Sequence, residues 1–149
     1  MRPRTIPYSV PQTKFDREEA PLPKRQSIEI PGFSHANPIP GASRIGNIMM
    51  SSIINGRDPA TSQMPDGLAQ QIVNVFAHIR SAVGAAGGSP ENIIKVTFWV
   101  KDPATGRGAL NGEWEKTFPD ETSRPARHTL PLAGDGPAQV TCDFVAVFD

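Results

Sequence analysis

Two arginines near the C-terminal end of the chain have the type and spacing expected of an anion-binding site. Arg124 and Arg127 enclose a Pro-Ala pair, and Arg127 begins a run, residues 127–131, that is typical of a buried strand. A buried guanidinium requires an anion, because an unpaired internal charge costs several kcal/mol. The anion is either a carboxylate of the chain, in a structural ion pair, or a ligand carboxylate held by two parallel hydrogen bonds. The spacing alone favours neither.

The other side chains that could do chemistry are dispersed along the chain. His35, His78 and His128 have no spacing that fits a metal site. The single cysteine, Cys142, lies in a strand pattern, which predicts a buried and unreactive thiol. No glycine-rich phosphate loop followed by Lys-Ser or Lys-Thr is present. We therefore expect neither a metal ion nor a cofactor.

The composition indicates one domain of ordinary size and excludes some classes of partner. The chain has 149 residues, of which 38% are hydrophobic, and its 15 basic residues balance 15 acidic ones. This balance gives no electrostatic reason to bind nucleic acid or a membrane surface. No apolar run approaches the ~20 residues of a membrane span. A single cysteine excludes an intrachain disulfide, so we expect a reducing compartment, most simply the cytoplasm.

The N-terminal segment, residues 1–26, differs from the rest of the chain. It has a net basic charge, and its prolines interrupt any helix or central strand: Pro3, Pro7, Pro11, Pro21 and Pro23. The segment is interpreted either as a solvated arm or as an arm laid across a neighbouring subunit. The folded domain is predicted to span residues 27–149.

Alternating apolar residues predict the strands. Residues 43–54 form a hairpin that turns at Gly46 and Asn47. Val96, Phe98 and Val100 point to one side of a central strand. The remaining strands are predicted at residues 27–31, 94–101, 127–131 and 139–148.

Two helices are predicted. The first has one apolar stripe at helical spacing, formed by Leu68, Ile72, Val75, Phe76, Ile79 and Val83. Asp66 is expected to cap its start, and Gly87 and Gly88 are expected to end it. A shorter second helix begins near Ala109 and ends at Phe118, before a proline.

The order β-β-β-α-β-α-β-β predicts an α+β fold of two layers, in which a mixed sheet carries two helices on one face. The opposite face of the sheet carries Thr97, Trp99 and further semi-polar residues. A sheet face of this kind is rarely left bare. We therefore expect other subunits to cover it.

Four stretches occur in the order found in one protein family. Gly-Asn-Ile-Met-Met-Ser-Ser at residues 46–52 is similar to its Gly-Asn strand. Ile-Ile-Lys-Val-Thr-Phe-Trp-Val-Lys-Asp at residues 93–102 follows an Ala-Ala-Gly-Gly turn, as in the family. Residues 111–119 are similar to its Asn-x-x-Tyr-x-x-x-Phe helix, and residues 124–127 to its Pro-Ala-Arg. From residue 28 to residue 148, the chain resembles the reactive intermediate deaminase (RidA/YjgF) family, also called the endoribonuclease L-PSP family.

The resemblance implies a chorismate-mutase-like fold and a homotrimer with pockets between its subunits. Many members hydrolyse enamines or imines, such as 2-aminoacrylate, to 2-oxo acids and ammonia. The family's signature arginine, which binds the substrate carboxylate, corresponds here to Arg127. Asn111, Ser52 and Thr129 are expected, by the same resemblance, to line or shape that cleft.

Three positions depart from the family pattern. Thr141 stands where relatives carry a glutamate that positions the attacking water, and a threonine hydroxyl is a poor general base near neutral pH. Ile39 falls at the family's pocket tyrosine. His35, in the same rewritten loop, is interpreted either as a replacement proton carrier or as a residue that caps the loop.

The resemblance implies a hydrolase, an enamine or imine deaminase that acts on a small carboxylate-bearing intermediate of the 2-aminoacrylate or 2-aminomuconate type. In such a reaction we expect Arg127 to hold the carboxylate, Thr141 or backbone carbonyls to hold the water, and His35 or His128 to move protons. The alternative is a non-catalytic member of the family that binds a 2-oxo acid. Ribonuclease activity, reported for some relatives, is disfavoured because the only basic tract is the N-terminal arm.

Overall fold

One mixed sheet and two α-helices make up the domain. The computed structural model describes residues 1–7, residue 9 and residues 24–149, so most of the predicted arm lies outside the described residues. The strands are β1 (Gln26–Ile28), β2 (Ala42–Ile45), β3 (Ile48–Ser51), β4 (Ile54–Asn55), β5 (Ile93–Val100), β6 (Ala126–Pro131) and β7 (Val140–Val147). The helices are α1 (Leu68–Ala85) and α2 (Pro103–Thr117), and a single 3-10 turn (Pro90–Asn92) precedes β5.

The strands lie in the order β1-β2-β3-β7-β5-β6, with β4 also paired to β7. Only β5 and β6 are parallel, and α2 makes the crossover between them. Both helices pack on the same face of the sheet. The predicted α+β architecture, with a mixed sheet and two helices on one face, is confirmed.

The predicted hairpin is confirmed, but its second strand is interrupted. Gly46 has the positive φ of 56° that the two-residue turn between β2 and β3 requires. Met50 pairs with Val145 of β7, and Ile54 pairs with Cys142 of β7. Three residues separate Met50 from Ile54, but only two separate their partners on β7. The extra residue is a β-bulge, which the alternation of apolar residues did not reveal. It separates β4 from β3, so one strand more than predicted precedes α1.

The apolar stripe of α1 is buried apart from the half-buried Leu68, and the predicted C-terminal end of the helix is confirmed. Gly87 has a φ of 85°, and the Gly88 amide donates to the carbonyl of Val83, as in a Schellman motif. The predicted cap at Asp66 is wrong. Gly67 is the N-cap residue, and no side chain caps this end, because the helix begins one residue later than an Asp66 cap requires.

The second helix begins earlier than predicted. The Asp102 carboxylate accepts a hydrogen bond from the Ala104 amide, and Pro103 occupies the first turn, where its missing N–H costs nothing. Gly106 lies against Val100 so closely that a β-carbon at residue 106 would be 2.6 Å from the valine side chain. Three glycines and few apolar residues weaken the periodic signal, which is why this first turn was not predicted.

The two faces of the sheet differ in burial. Val96, Phe98 and Val100 face the helices, as predicted, and alternate residues of β7 join them. Cys142 is fully buried among them, as predicted, and burial raises the pKa of its thiol. The open face carries large exposed apolar side chains: Ile45, Ile48, Met50 and Leu130. A groove of about 330 Å³ lies along β2 and β3 on this face.

Candidate functional site

Arg127 lies on β6, which forms one edge of the sheet. Its register partner on β5 is the fully buried Val96, so Arg127 points to the face that the helices cover. The side chain is half-buried. The edge position leaves one side of the guanidinium open, while α2 closes the other.

Three groups of α2 orient the guanidinium of Arg127. Its Nη1 and Nη2 each donate to Asn111 Oδ1 at 3.1 Å, and Nη2 reaches the carbonyl oxygen of Arg107 at 3.5 Å. The Arg127 Cζ lies 5.1 Å from the ring centroid of Trp114, within the range of a cation–π contact. Trp114 packs edge-to-face on Phe118, with the ring centroids 4.7 Å apart. The cation is therefore held in one orientation by neutral partners.

The surroundings of Arg127 bear on whether its charge is paired with a carboxylate of the chain or is free to bind a ligand carboxylate. No carboxylate of the described residues lies within 4.0 Å of the guanidinium, so the structural ion pair is not formed in that part of the chain. Partial burial lowers the pKa of Arg127, because the charged form loses contact with water. A partly desolvated guanidinium with donors that Asn111 does not occupy is suited to binding an anion.

Arg124 has a different role from Arg127. Its Nε donates to the carbonyl oxygen of Phe118 at 2.9 Å. This bond ties the end of α2 to the segment that enters β6. Arg124 thus positions the strand that carries Arg127.

Two further predicted site residues lie next to Arg127. Asn111 makes the hydrogen bonds described above. Thr129 is the register partner of the buried Phe98, so it points to the same face as Arg127. Arg127 and Asn111 are therefore joined between β6 and α2, and Thr129 lies on the same face of the sheet; we call these three residues the Arg127 cluster.

Ser52 and Ile39 form a separate group. Ser52 Oγ donates to the Pro40 carbonyl at 2.8 Å, and the Ser52 amide donates to the Gly41 carbonyl at 2.9 Å. These bonds tie the loop that contains Ile39 to the bulge after β3. The Ile39 side chain is 49% exposed.

Thr141 points away from Arg127. Its register partners are Trp99 on β5 and Asn55 on β4. Its neighbours along β7, Val140 and Cys142, are both buried under the helices, so Thr141 points to the opposite side of the sheet, where its own side chain is only 9% exposed. Within one chain, Arg127 and Thr141 lie on opposite faces of the same sheet.

The open face next to Thr141 also carries Asp143. This carboxylate has Thr97 as its register partner on β5, and Thr97 in turn has His128 on β6. Partial burial raises the pKa of Asp143, and the charge of Lys95 opposes that change.

His35 lies in a cluster with Phe33 and His78. The rings of His35 and Phe33 meet edge-to-face at 5.1 Å, and the ring of Phe33 lies 4.9 Å from that of His78. His78 is fully buried, and its Nε2 donates to the Arg57 carbonyl at 2.6 Å. Burial lowers the pKa of His78. Within the described residues, the buried His35 Nε2 has no hydrogen-bond partner.

Two further features of the described residues concern metal ligands and helix hydropathy. No group of three or more His, Cys, Asp or Glu side chains is placed to hold an ion there. In the same part of the chain, no helix combines the length and the hydropathy needed to cross a membrane.

Two groups that contact Arg127 were not predicted from the sequence. Trp114 provides the ring beside the guanidinium, and the Arg107 carbonyl provides a third acceptor. Their spacing does contain a signal, because residues three and four positions from Asn111 share its face of the helix.

Comparison with known proteins gives one family. The sequence profile described as Endoribonuclease L-PSP matches residues 34–134. A RutC family protein of Aquifex aeolicus is 30% identical over 130 residues, covering 84% of this chain and 88% of that protein. The RutC family protein PM1466 of Pasteurella multocida is 30% identical over 91 residues, covering 60% of this chain and 70% of that protein.

Solved structures share the fold. RidA from Psychrobacter sp. PAMC 21119 superposes with a TM-score of 0.74 at 23% identity, covering 83% of this chain and 99% of that one. The YjgF gene product of E. coli gives 0.73 at 23% identity, with 82% and 98% covered. E. coli TdcF with bound serine gives 0.74 at 20% identity, with 83% and 99% covered. At these identities the likeness shows the fold alone.

Proposed function

Because the chain belongs to the RidA/YjgF family, also called the endoribonuclease L-PSP family, we propose that it hydrolyses a small carboxylate-bearing enamine or imine. The products are a 2-oxo acid and ammonia, and 2-aminoacrylate is the simplest substrate of this class. The observation that carries the proposal is the guanidinium of Arg127. It is oriented by Asn111 and Trp114, it is partly desolvated, and no described carboxylate neutralises it.

In the proposed reaction, Arg127 binds the substrate carboxylate through donors that Asn111 does not occupy. An enamine first takes a proton on its β-carbon and becomes the imine. A water oxygen then adds to the imine carbon, and a proton goes to the nitrogen. The C–N bond breaks, ammonia leaves, and the carbonyl of the 2-oxo acid forms. Imines hydrolyse readily in water, so fixing the carboxylate in one orientation supplies much of the acceleration.

The proposed site requires two copies of the chain. Arg127 and Thr141 face opposite sides of one sheet, so a single ligand cannot contact both within one chain. A neighbouring copy can bring its Thr141 to the Arg127 cluster of the first copy. The exposed Ile48 and Met50 support such assembly, because apolar side chains on a sheet face favour a partner over water. We propose the homotrimer that the family resemblance implies.

The test is to generate 2-aminoacrylate enzymatically and to follow its decay and the release of 2-oxo acid. The full chain should accelerate the decay over buffer, and Arg127→Ala should not. Sedimentation or light scattering on both proteins should show the same trimer, so that loss of activity reports on the guanidinium. No acceleration by a trimeric wild-type protein would contradict the proposal for this substrate.

A second candidate function is binding without catalysis. No carboxylate of the described residues lies beside Arg127 to activate water, and Thr141 is a weak base. The structure of TdcF holds serine, itself a carboxylate-bearing small molecule. Saturable calorimetric binding of a 2-oxo acid that needs Arg127, together with no turnover of 2-aminoacrylate, would favour this candidate.

We place either function in the cytoplasm. The single cysteine, Cys142, is a free thiol in the core, which fits a reducing compartment. Fractionation of cells that express the full chain tests this placement.

A further inference from the structure

The β4–α1 loop, residues 56–67, is held in place by side chains of α1. Three buried residues, spaced three and four positions apart, share one face of the helix: Gln71, Asn74 and His78. Each donates a hydrogen bond of 2.6–2.9 Å to a backbone carbonyl of the loop, and the acceptors belong, in that order, to Pro65, Gly56 and Arg57. Of the three donors, only the imidazole of His78 changes its charge near neutral pH.

The bond between His78 and the loop fixes the tautomer of the ring. Because the Arg57 carbonyl can only accept, the proton of the neutral ring is on Nε2, and Nδ1 keeps a lone pair. Within the described residues, this Nδ1 is buried and has no hydrogen-bond partner. A second proton, on Nδ1, would create a buried charged donor without an acceptor, which the interior of the domain disfavours.

The groups around His78 keep its ring neutral while the loop is bound. Burial lowers the pKa of His78, and the hydrogen bond to Arg57 and the charge of Asp58 only partly oppose that change. Among the described residues, the titratable side chains that face His78 from the elements packed against it are Asp58 in the loop and, beyond the ring of Phe33, His35. Once the loop leaves α1, the ring meets water and the cost of charging it disappears.

A strained turn lies inside the β4–α1 loop. Ser62 has a φ of 62°, a left-handed conformation that residues other than glycine seldom adopt. Two backbone hydrogen bonds of 2.8 Å close the turn, from the Asp58 amide to the Gln63 carbonyl and from the Ser62 amide to the Asp58 carbonyl. Strain of this kind persists only where the surrounding structure maintains it, so the turn should relax once the loop leaves α1.

We infer that His78 is a pH-sensitive switch: when its ring takes up a proton, the β4–α1 loop leaves α1 while the rest of the domain stays folded. The neutral ring favours the bound loop, so the bound form prevails above about pH 6.5 and is progressively lost as the pH falls below that value. The loop directly follows Asn55, which pairs with Thr141 of β7. Opening of the loop therefore frees one end of the short strand that pairs with Thr141.

The experiment measures hydrogen exchange of the full chain between about pH 7.5 and about pH 5, as protection factors corrected for the intrinsic exchange rate at each pH. The Asp58 and Ser62 amides report on the loop, and the amides in the middle of β5 report on global unfolding. His78→Gln keeps a side-chain amide that can donate to the Arg57 carbonyl, but it cannot titrate. His128→Gln removes an exposed histidine from β6 and is the matched control.

In the wild type, the protection of the loop amides should fall by up to about tenfold for each pH unit below about 6.5, because opening takes up one proton. The amides of β5 should stay far better protected at every pH. His78→Gln should make the protection of the loop independent of pH in this range, whereas His128→Gln and His35→Gln should keep the dependence of the wild type.

Three results would overturn the switch: constant loop protection in the wild type, a pH dependence that survives His78→Gln, or loop amides as well protected as those of β5. A measurement on the wild type alone covers the case in which His78→Gln does not fold. NMR of the imidazole should show His78 taking up its proton over the same pH range in which the loop opens, and separate ranges would also overturn the switch.

Discussion

Asn111→Asp places a competing carboxylate at the atom that now orients Arg127. Asn111 Oδ1 accepts two bonds of 3.1 Å from the guanidinium, and aspartate has nearly the same shape as asparagine. The substitution therefore creates an internal ion pair without moving the backbone. A ligand carboxylate would then meet a guanidinium that is already neutralised.

The magnitude follows from the partial exposure of the pair. Opposite charges ~4 Å apart attract by about 4 kcal/mol at an effective dielectric constant near 20. Arg127 is only half-buried, and exposed ion pairs stabilise folded proteins by about 0–1 kcal/mol. We expect the ligand to lose about 1–1.5 kcal/mol, or roughly tenfold in affinity. The free energy of unfolding should rise by at most about 1 kcal/mol.

The assay pairs calorimetry of a 2-oxo acid with urea denaturation. Asn47→Asp, in the exposed turn between β2 and β3, adds the same charge at a distance and serves as the control. If Asn111→Asp alone binds the 2-oxo acid more weakly, with its stability kept or raised, Arg127 is supported as the residue that binds the ligand carboxylate. Unchanged or tighter binding by Asn111→Asp would refute the reasoning, because the ligand could not then depend on the free charge of Arg127.

Three further predictions concern the scaffold. Burial lowers the pKa of His78, so as the pH falls the unfolded chain takes up a proton at His78 before the folded protein does. The free energy of unfolding should therefore fall as the pH drops below about 6.5. In urea titrations at several pH values, His78→Gln should remove this pH dependence. Gly106→Ala should lower the free energy of unfolding by about 1–3 kcal/mol, because the added β-carbon would lie 2.6 Å from the side chain of Val100. Gly108→Ala, whose β-carbon meets nothing within 4 Å, should raise it by up to about 1 kcal/mol. Equal effects of the two substitutions would contradict this packing. Cys142 should resist a thiol reagent in the native protein and react in urea, and rapid native labelling would contradict its burial.

Much of the fold could be predicted because its signals are local. The α1 stripe and the turn at Gly46 each specify their own geometry, and the alternation in β5 shows which side is buried. The bulge after β3 could not be predicted, because it depends on the register of β3 with β7. The Phe144 amide of β7 donates to Ser51 Oγ at the bulge, and these two residues are 93 positions apart in the sequence. The start of α2 depends on one cap, Asp102, rather than on periodicity.

The site was less accessible from the sequence. The prediction that Arg127 begins a buried strand is wrong, because β6 is an edge strand without a buried residue. The contact of Arg127 with Asn111 spans 16 residues and follows from the packing of α2 on β6. The opposite orientation of Thr141 was present in the alternation of β7. The sequence did not show that Arg127 lies on the other face, because the residues of β6, an edge strand, do not alternate clearly between apolar and polar side chains.

The most direct test of the proposed function is the rate of 2-oxo acid release from enzymatically generated 2-aminoacrylate. The ratio of kcat/KM between the wild type and Arg127→Ala measures how strongly the guanidinium stabilises the transition state. We predict that the wild-type protein accelerates the reaction over buffer and that kcat/KM falls by at least about tenfold in the variant. Equal rates for the two proteins would contradict the assignment of Arg127 as the carboxylate-binding residue.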